Sequence, residues 1–348
     1  MSESTKRVCE KMAGTSPRLG FLGVGWIGLQ RLQAIADRGV AEIAAIADPN
    51  PEMSMSAAAV APDAARMTSM DEILEQRLDG LVIATPSALH AEQAVKALEH
   101  GIAVFCQKPL GRTAKETRRV VDAARAANRL LCVDMCYRFT SGMANVREMV
   151  RARQLGDVYA VNLIFHNAYG PDKSWFYDPS LSGGGCLLDL GIHLVDLALW
   201  VMDSPTLVRL SSSLHEGGKP FSPGAGVEDH AAALLEFDNG ATVQLACSWK
   251  LQAGQDCVIE ASFYGTRGGA TFRNVGGSFV DFVAEQFSST TRKIVSEPPD
   301  DWGGRAALAW ALRLQENRGF DPAAEQLVEV ASILDRIYGR SFSEAKQS

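Results

Sequence analysis

Between Arg18 and Asp134, short apolar runs alternate with amphipathic helices, and this alternation restricts the fold more than any other feature of the chain. The runs are RLGFLGV, VAEIAAIA, LDGLVIAT, IAVFC and LLCVDM, and helices are predicted to begin near Trp26, Met53, Met70, Ser87 and Thr113. Strands that read apolar throughout must be buried on both faces, so the pattern predicts a parallel sheet with helices on either side. Ser87 and Thr113 are the expected N-caps, and Gly101 is expected to close the helix that starts at Ser87 and runs to about His100.

The first strand ends in GVGWIG, Gly23 to Gly28, and a helix opens from it. Gly23 suits the tight turn, Gly25 lets backbone approach a pyrophosphate, and Gly28 permits close packing of helix on strand. Trp26 and Ile27 complete the turn, whose free amides and positive helix end favour an anion. The motif alone is a weak signal. Asp48, at the end of the next strand and twenty residues after Gly28, strengthens it, because an acid there grips ribose hydroxyls. A carboxylate at that position repels a 2′-phosphate, and Pro49 to Met53 contains no Arg or Lys. The expected cofactor is therefore NAD rather than NADP.

After Arg138 the pattern changes. A helix from about Ser141 to Gln154 precedes the strand-like runs DVYAVNLIFHNAYG, TLVRLSSSLH, DHAAALLEF, ATVQLACSW, CVIEASFYG, GATFR and SFVDFV. Asn239-Gly240 between two of these runs marks a hairpin. The prediction is an antiparallel sheet, interrupted by one helix and followed by two more, around Trp302 to Arg318 and Pro322 to Tyr338. The expected division is a disordered or expression-derived lead over 1–17, a dinucleotide-binding domain over 18–138 and an α/β substrate and oligomerisation domain over 139–340.

Within GGGCLLDLGIHLVD, Gly183 to Asp196, Asp189 and His193 lie four residues apart on a predicted helix, hence on one face. A carboxylate beside an imidazole orients it and raises its proton affinity, although such a pair is more often a surface or capping pair. His100, near a helix end, is expected to serve the helix dipole, and His215 and His230 are read as loop and strand-edge residues.

A net charge of −7 over 348 residues leaves no basic stripe for nucleic acid. No apolar run is expected to reach the ~20 residues of a membrane span. The seven cysteines, an odd number in mostly apolar contexts, read as buried thiols in a reducing, cytoplasmic compartment. Cys132 and Cys136 lack the further ligands a structural zinc needs, so no metal site is expected.

Taken in order, GVGWIG, IADP at Ile46 to Pro49, ATPSALH at Ala84 to His90, QKP at Gln107 to Pro109, YRF at Tyr137 to Phe139 and GGGCLLDLGIH resemble the Gfo/Idh/MocA oxidoreductases over nearly the whole chain. The resemblance implies a Rossmann domain, a second domain with a large open sheet, and redox chemistry on sugars or cyclitols with a nicotinamide cofactor. It implies Lys108, Asp189 and His193 as the catalytic set, with Asp189 orienting a His193 base and Lys108 stabilising the developing alkoxide. It implies that Thr85, Pro86 and His90 line the nicotinamide end, beside Gln107 and Lys108. Gln107 stands where the family usually carries Glu, which removes a negative charge next to Lys108. Tyr137, Arg138, His166 and Trp175 are the expected substrate contacts, with Lys173 and Arg138 as alternative partners for a phosphate or carboxylate. The open sheet, read as apolar on its faces, is expected to build a homodimer or homotetramer. Two other readings fit the same resemblance: tightly held NAD used within one internal redox cycle, and a nucleotide-binding regulator that needs no proton machinery.

Overall fold

The computed structural model describes residues 16–340 except 223 and 225. The expected lead over 1–17 therefore lies outside the described residues apart from its last two, as does Cys9. The first half is a six-stranded parallel sheet in the order β3-β2-β1-β4-β5-β6. Its strands are β1 (Arg18–Leu22), β2 (Glu42–Ala47), β3 (Ala65–Met67), β4 (Gly80–Ile83), β5 (Ala103–Cys106) and β6 (Leu131–Val133). The edge strand β3 was not expected; it is three residues long and mostly exposed, too short to show a pattern.

Helices α1 (Trp26–Ala36), α2 (Pro51–Val60), α3 (Met70–Leu74), α4 (Ser87–Glu99) and α5 (Ala114–Ala127) connect these strands. Thr113 caps α5 through the Glu116 amide. Ser87 does not cap α4: Pro86 occupies that position without a side-chain bond, and its fixed φ supplies the entry geometry instead. Helix α2 begins two residues earlier than predicted because Asn50 accepts from the Glu52 and Met53 amides. Gly101, at φ +73°, follows α4 as anticipated.

The second half is a nine-stranded sheet in the order β15-β14-β13-β12-β7-β11-β10-β8-β9. Its strands are β7 (Val158–Asn167), β8 (Leu207–Glu216), β9 (Lys219–Pro220), β10 (His230–Phe237), β11 (Thr242–Ser248), β12 (Cys257–Gly265), β13 (Gly269–Asn274), β14 (Phe282–Ser288) and β15 (Thr291–Ser296). It is mixed rather than purely antiparallel, because β7 and β11 run parallel at its centre. The Asn239-Gly240 turn joins β10 to β11 as expected, with Gly240 at φ +83°. β14 starts later than the SFVDFV run, and the short or charged β9 and β15 gave no alternating signal.

One face of this sheet, through Val161, Leu163, Phe165, Val243 and Leu245, is buried against helices. These are α6 (Ser141–Arg151), α7 (Ile192–Val201) and α9 (Glu325–Ile337). The opposite face, expected to be apolar, carries Asn162, His166, Gln244, Ser262 and Thr271 in alternation with the buried set. The stretch Pro179–Val201 is apolar and long enough to pass for a membrane span, contrary to expectation, but 89% of its most apolar 18-residue window is buried inside the protein. It is the central core helix of the second half.

The boundary at 138/139 is also not a clean division. Helix α8 (Arg305–Glu316), from the C-terminal part of the chain, returns to the parallel sheet. There Trp310 packs on Phe105 at 5.7 Å between ring centroids, within the core formed by Leu19, Phe21 and Val82. Trp310 is 1% exposed; burying one such indole stabilises by roughly 2–3 kcal/mol, which ties the two halves together.

Candidate active site

β1 and β4 are neighbours whose helical connections leave on opposite sides, so the carboxyl ends of these strands form the crevice where an open α/β sheet binds ligands. The glycine turn follows β1, and Thr85-Pro86-Ser87 follows β4. Gly23 takes φ +83°, and an added Cβ would meet Ala84 O at 2.7 Å. A Cβ on Gly28 would meet Gly23 O at 2.2 Å. Gly25 differs: among the described residues, its own chain neighbours aside, the only atom within 4 Å of its Cβ position is Lys173 Nζ, at 4.0 Å. The cradle over Gly25 is open, and a side chain would fill it, as a pyrophosphate seat requires. Asp48 Oδ2 accepts from the Val24 amide at 2.8 Å and Oδ1 from Asn50 N at 2.8 Å. These bonds fix the carboxylate against the turn while leaving further lone pairs for hydroxyl donors.

A cavity of about 430 Å³ opens from this turn. Gly25, Trp26, Ile27 and Gly28 form one wall; Thr85, His90, Gln107 and Lys108 form the second; Lys173, Trp175, Phe176 and Asp189 close it from the other half of the chain. Trp26 is 69% exposed at the mouth. His90 braces two of these loops, its ring nitrogens each 2.7 Å from a carbonyl oxygen, Pro109 O and Thr85 O. Burial pushes its pKa down, and a neutral ring donates to only one of the two.

Lys108 extends from the loop after β5. Its Nζ donates to Asp189 Oδ1 at 2.7 Å and to Asp189 O at 2.8 Å. Asp189 Oδ2 accepts from Trp249 Nε1 at 3.1 Å. Asp189 therefore holds Lys108, not His193, and no hydrogen bond joins Asp189 to His193 among the described residues. The physical reason is local. Leu187–Gly191 winds as a π-helix before α7 begins, and the wider turn takes residues four apart out of the register an α-helix gives. His193 lies beneath, 5% exposed, with the Tyr137 ring edge-on at 5.0 Å. Burial, and then the Lys108 and Arg31 charges, hold its pKa well below the usual range, so it is neutral at pH 7.

The expected substrate contacts divide. Trp175 lines the cavity, stacked on Phe176 at 3.8 Å. Arg138 does not reach it, because its guanidinium grips the buried Asp196 with two nitrogens and donates to Gln326 Oε1 at 3.0 Å. Tyr137 is also a packing residue, 8% exposed among Phe165, His193, Phe282 and Trp302. His166 lies one residue out of register: Phe165 points to the helices, so His166 faces the opposite side of the sheet. There its Nδ1 meets Ser248 Oγ at 2.8 Å and its ring stacks towards His230.

Burial lowers the His166 pKa from 6.5 to about 4. A histidine held neutral in the fold but free to protonate when unfolded withdraws stability as pH falls below its unfolded pKa. The melting temperature should therefore fall between pH 6.5 and pH 4, and His166→Gln should flatten that slope without altering the plateau above pH 7. An unchanged slope would refute the assignment.

Gln107 donates to Asp134 Oδ2, the oxygen that also accepts Arg31 Nε at 2.6 Å. Arg31 and Asp134 are 5% and 1% exposed. The carboxylate that meets residue 107 is thus Asp134, already paired with Arg31, and an amide at 107 satisfies it without a second charge. Gln107→Glu would set two carboxylates against each other and is expected to cost about 1–3 kcal/mol, read as a lower urea midpoint at pH 7.5.

Two groups were missed. Trp249 is the last residue of the predicted run ATVQLACSW, and a buried indole needs an acceptor; that signal was available. Glu228, 0% exposed, accepts from Gly185 N, Leu187 N and Tyr338 Oη. It caps the helix that carries Asp189 from 41 residues away, and nothing local in the sequence announces it.

Family models agree with this architecture. Residues 18–135 match the model described as oxidoreductase family, NAD-binding Rossmann fold, and residues 143–271 match the GFO/IDH/MocA C-terminal domain. The chain belongs to the Gfo/Idh/MocA oxidoreductase family. It is 30% identical to the rhizopine catabolism protein MocA of Rhizobium meliloti over 74% of this chain and 78% of that protein. It is also 30% identical to D-glucoside 3-dehydrogenase of Escherichia coli (strain K12), over 57% of this chain and 60% of that protein. Among solved structures, GenD2 from gentamicin A biosynthesis in complex with NAD superimposes with a TM-score of 0.79 at 22% identity, covering 94% of each chain. Levoglucosan dehydrogenase with NADH also gives 0.79 at 22% identity, over 93% of this chain and 96% of that one. At such identity these two structures speak to the fold alone.

Proposed function

We propose that this protein moves a hydride between NAD and a ring secondary alcohol of a sugar or cyclitol. One observation carries the reading: the Lys108–Asp189 pair and the Gly25–Gly28 turn face the same cavity. The activities named for family relatives, D-glucoside 3-dehydrogenase and inositol 2-dehydrogenase among them, favour this substrate class. Asp48, with no base in Pro49 to Met53, favours NAD over NADP.

Gly25, Gly28, Thr85 and Lys108 would hold the cofactor, which when bound supplies the hydride acceptor at its nicotinamide ring. Asp189 holds the Lys108 ammonium aimed into the cavity. Lys108 Nζ donates to the reacting oxygen and stabilises the alkoxide as its proton leaves. His193, neutral and buried beneath this pair, is the base that would take that proton. Trp175 offers an apolar face for a sugar ring. The free cysteines suit a reducing cytoplasm, and the sheet face without helices is the surface on which a homodimer or homotetramer would form.

The test is the absorbance of reduced nicotinamide with NAD or NADP and a panel of glucosides, inositols and anhydrosugars. A substrate-dependent rise with NAD that His193→Ala abolishes is the expected result. A rise that survives both His193→Ala and Lys108→Ala would exclude the mechanism.

A further inference from the structure

Lys173 is an exposed cation in the loop between β7 and the Asp189 helix, yet its ammonium points across to the other half of the chain. It is the nearest group to the Gly25 cradle, with Nζ 4.0 Å from the position a Cβ would take there. Among the described residues, Gly25's chain neighbours aside, nothing else lies within that distance. The Lys173 side chain makes no ion pair or hydrogen bond among the described residues. Its neighbour there is the start of α1, which has no side-chain cap and no acidic residue in its first turn.

A cation at the positive end of a helix is unfavourable. With an anion resting on the amides, the helix end and the lysine both attract the same charge. We propose that Lys173 is a cofactor-positioning residue that closes over the dinucleotide pyrophosphate from the second domain. This inference rests on the reading of Gly23 to Gly28 as the pyrophosphate seat. It places Lys173 against the cofactor rather than against an anionic substituent of the substrate. Because Trp175 and Phe176 lie two and three residues further along the same loop and line the same cavity, a loop drawn down by the pyrophosphate would also set the wall against which the sugar packs.

The experiment is a fluorescence titration of the full chain with NADH, with ADP-ribose as competitor, for wild type, Lys173→Ala and Lys173→Arg. ADP-ribose carries the pyrophosphate without the nicotinamide. Lys173→Ala is expected to weaken both ligands about 5- to 10-fold, as loss of a charge-assisted contact does. The deficit should shrink at high salt, and Lys173→Arg should stay within about twofold of wild type. The ligand-free melting temperature should not move, since the side chain is exposed and unpaired. If Lys173→Ala binds ADP-ribose as tightly as wild type, the proposal is overturned, and an anionic substrate group becomes the remaining partner for this charge. Failure of the wild-type protein itself to bind ADP-ribose would instead overturn the reading of the glycine turn.

Discussion

Lys108→Ala is expected to lower kcat by about 10²–10⁴-fold, the range for removing a positioned donor from a developing oxyanion. Among the described residues that line the cavity, Lys108 is the cation held by a carboxylate, at 2.7 Å from Asp189 Oδ1. The loss should fall on kcat more than on KM, because the contact strengthens only as charge develops on the oxygen. Lys108→Arg should rescue poorly: a planar guanidinium cannot place one point charge between Asp189 and the reacting atom. Asp189→Asn should follow the same pattern more mildly, since Trp249 and the Asp189 carbonyl still constrain the site. Steady-state kinetics with the substrate identified by the panel decide this. A Lys108→Ala enzyme with unaltered kcat would remove Lys108 from the chemistry.

Gly185→Ala should be the most damaging change to the fold near the site, at about 3 kcal/mol or more. A Cβ there would lie 1.9 Å from Glu228 O, backbone that cannot swing away, and the Gly185 amide already donates to the Glu228 carboxylate. The shift needed to relieve that contact would withdraw Glu228 from the Leu187 amide and Tyr338 hydroxyl and loosen the helix that carries Asp189. Gly303→Ala is the control: nothing lies within 4 Å of its Cβ position, so the change should stay within about 0.5 kcal/mol. Urea unfolding of both variants gives the comparison. Equal midpoints would mean that the Gly185 environment relaxes freely.

The parallel sheet was legible because strands buried on both faces must be continuously apolar, and RLGFLGV and LDGLVIAT are. The glycine turn was legible because steric demands act at single positions: Gly23 and Gly28 are crowded and Gly25 is open. The paired Asp189 and His193 misled. Four-residue spacing fixes a shared face only on an α-helix, and whether Leu187–Gly191 winds as α or π depends on what packs around it. Arg138 and Tyr137 misled for a related reason. Sequence placed them near the junction of the two halves but not the direction of their side chains, and Asp196, 58 residues later, takes the guanidinium. For His166, a one-residue difference of face separates the cavity from the open side of the sheet, and both faces of that strand carry residues of mixed character.

Local rules therefore determined what could be read directly: alternating elements, the glycine turn after β1, the acid at the end of β2, and the residue types of the candidate chemistry. Tertiary structure decided which charges meet. Lys108 and Asp189 are 81 residues apart and converge only when the two halves dock. Lys173 reaches Gly25 across the same junction, and Asp134 with Arg31 absorbs the amide of Gln107. Ion pairs and close approaches of this kind depend on distances of 3–4 Å between distant segments. Hydrophobic periodicity sets which face of an element is buried; it carries no information about which polar groups then lie opposite one another.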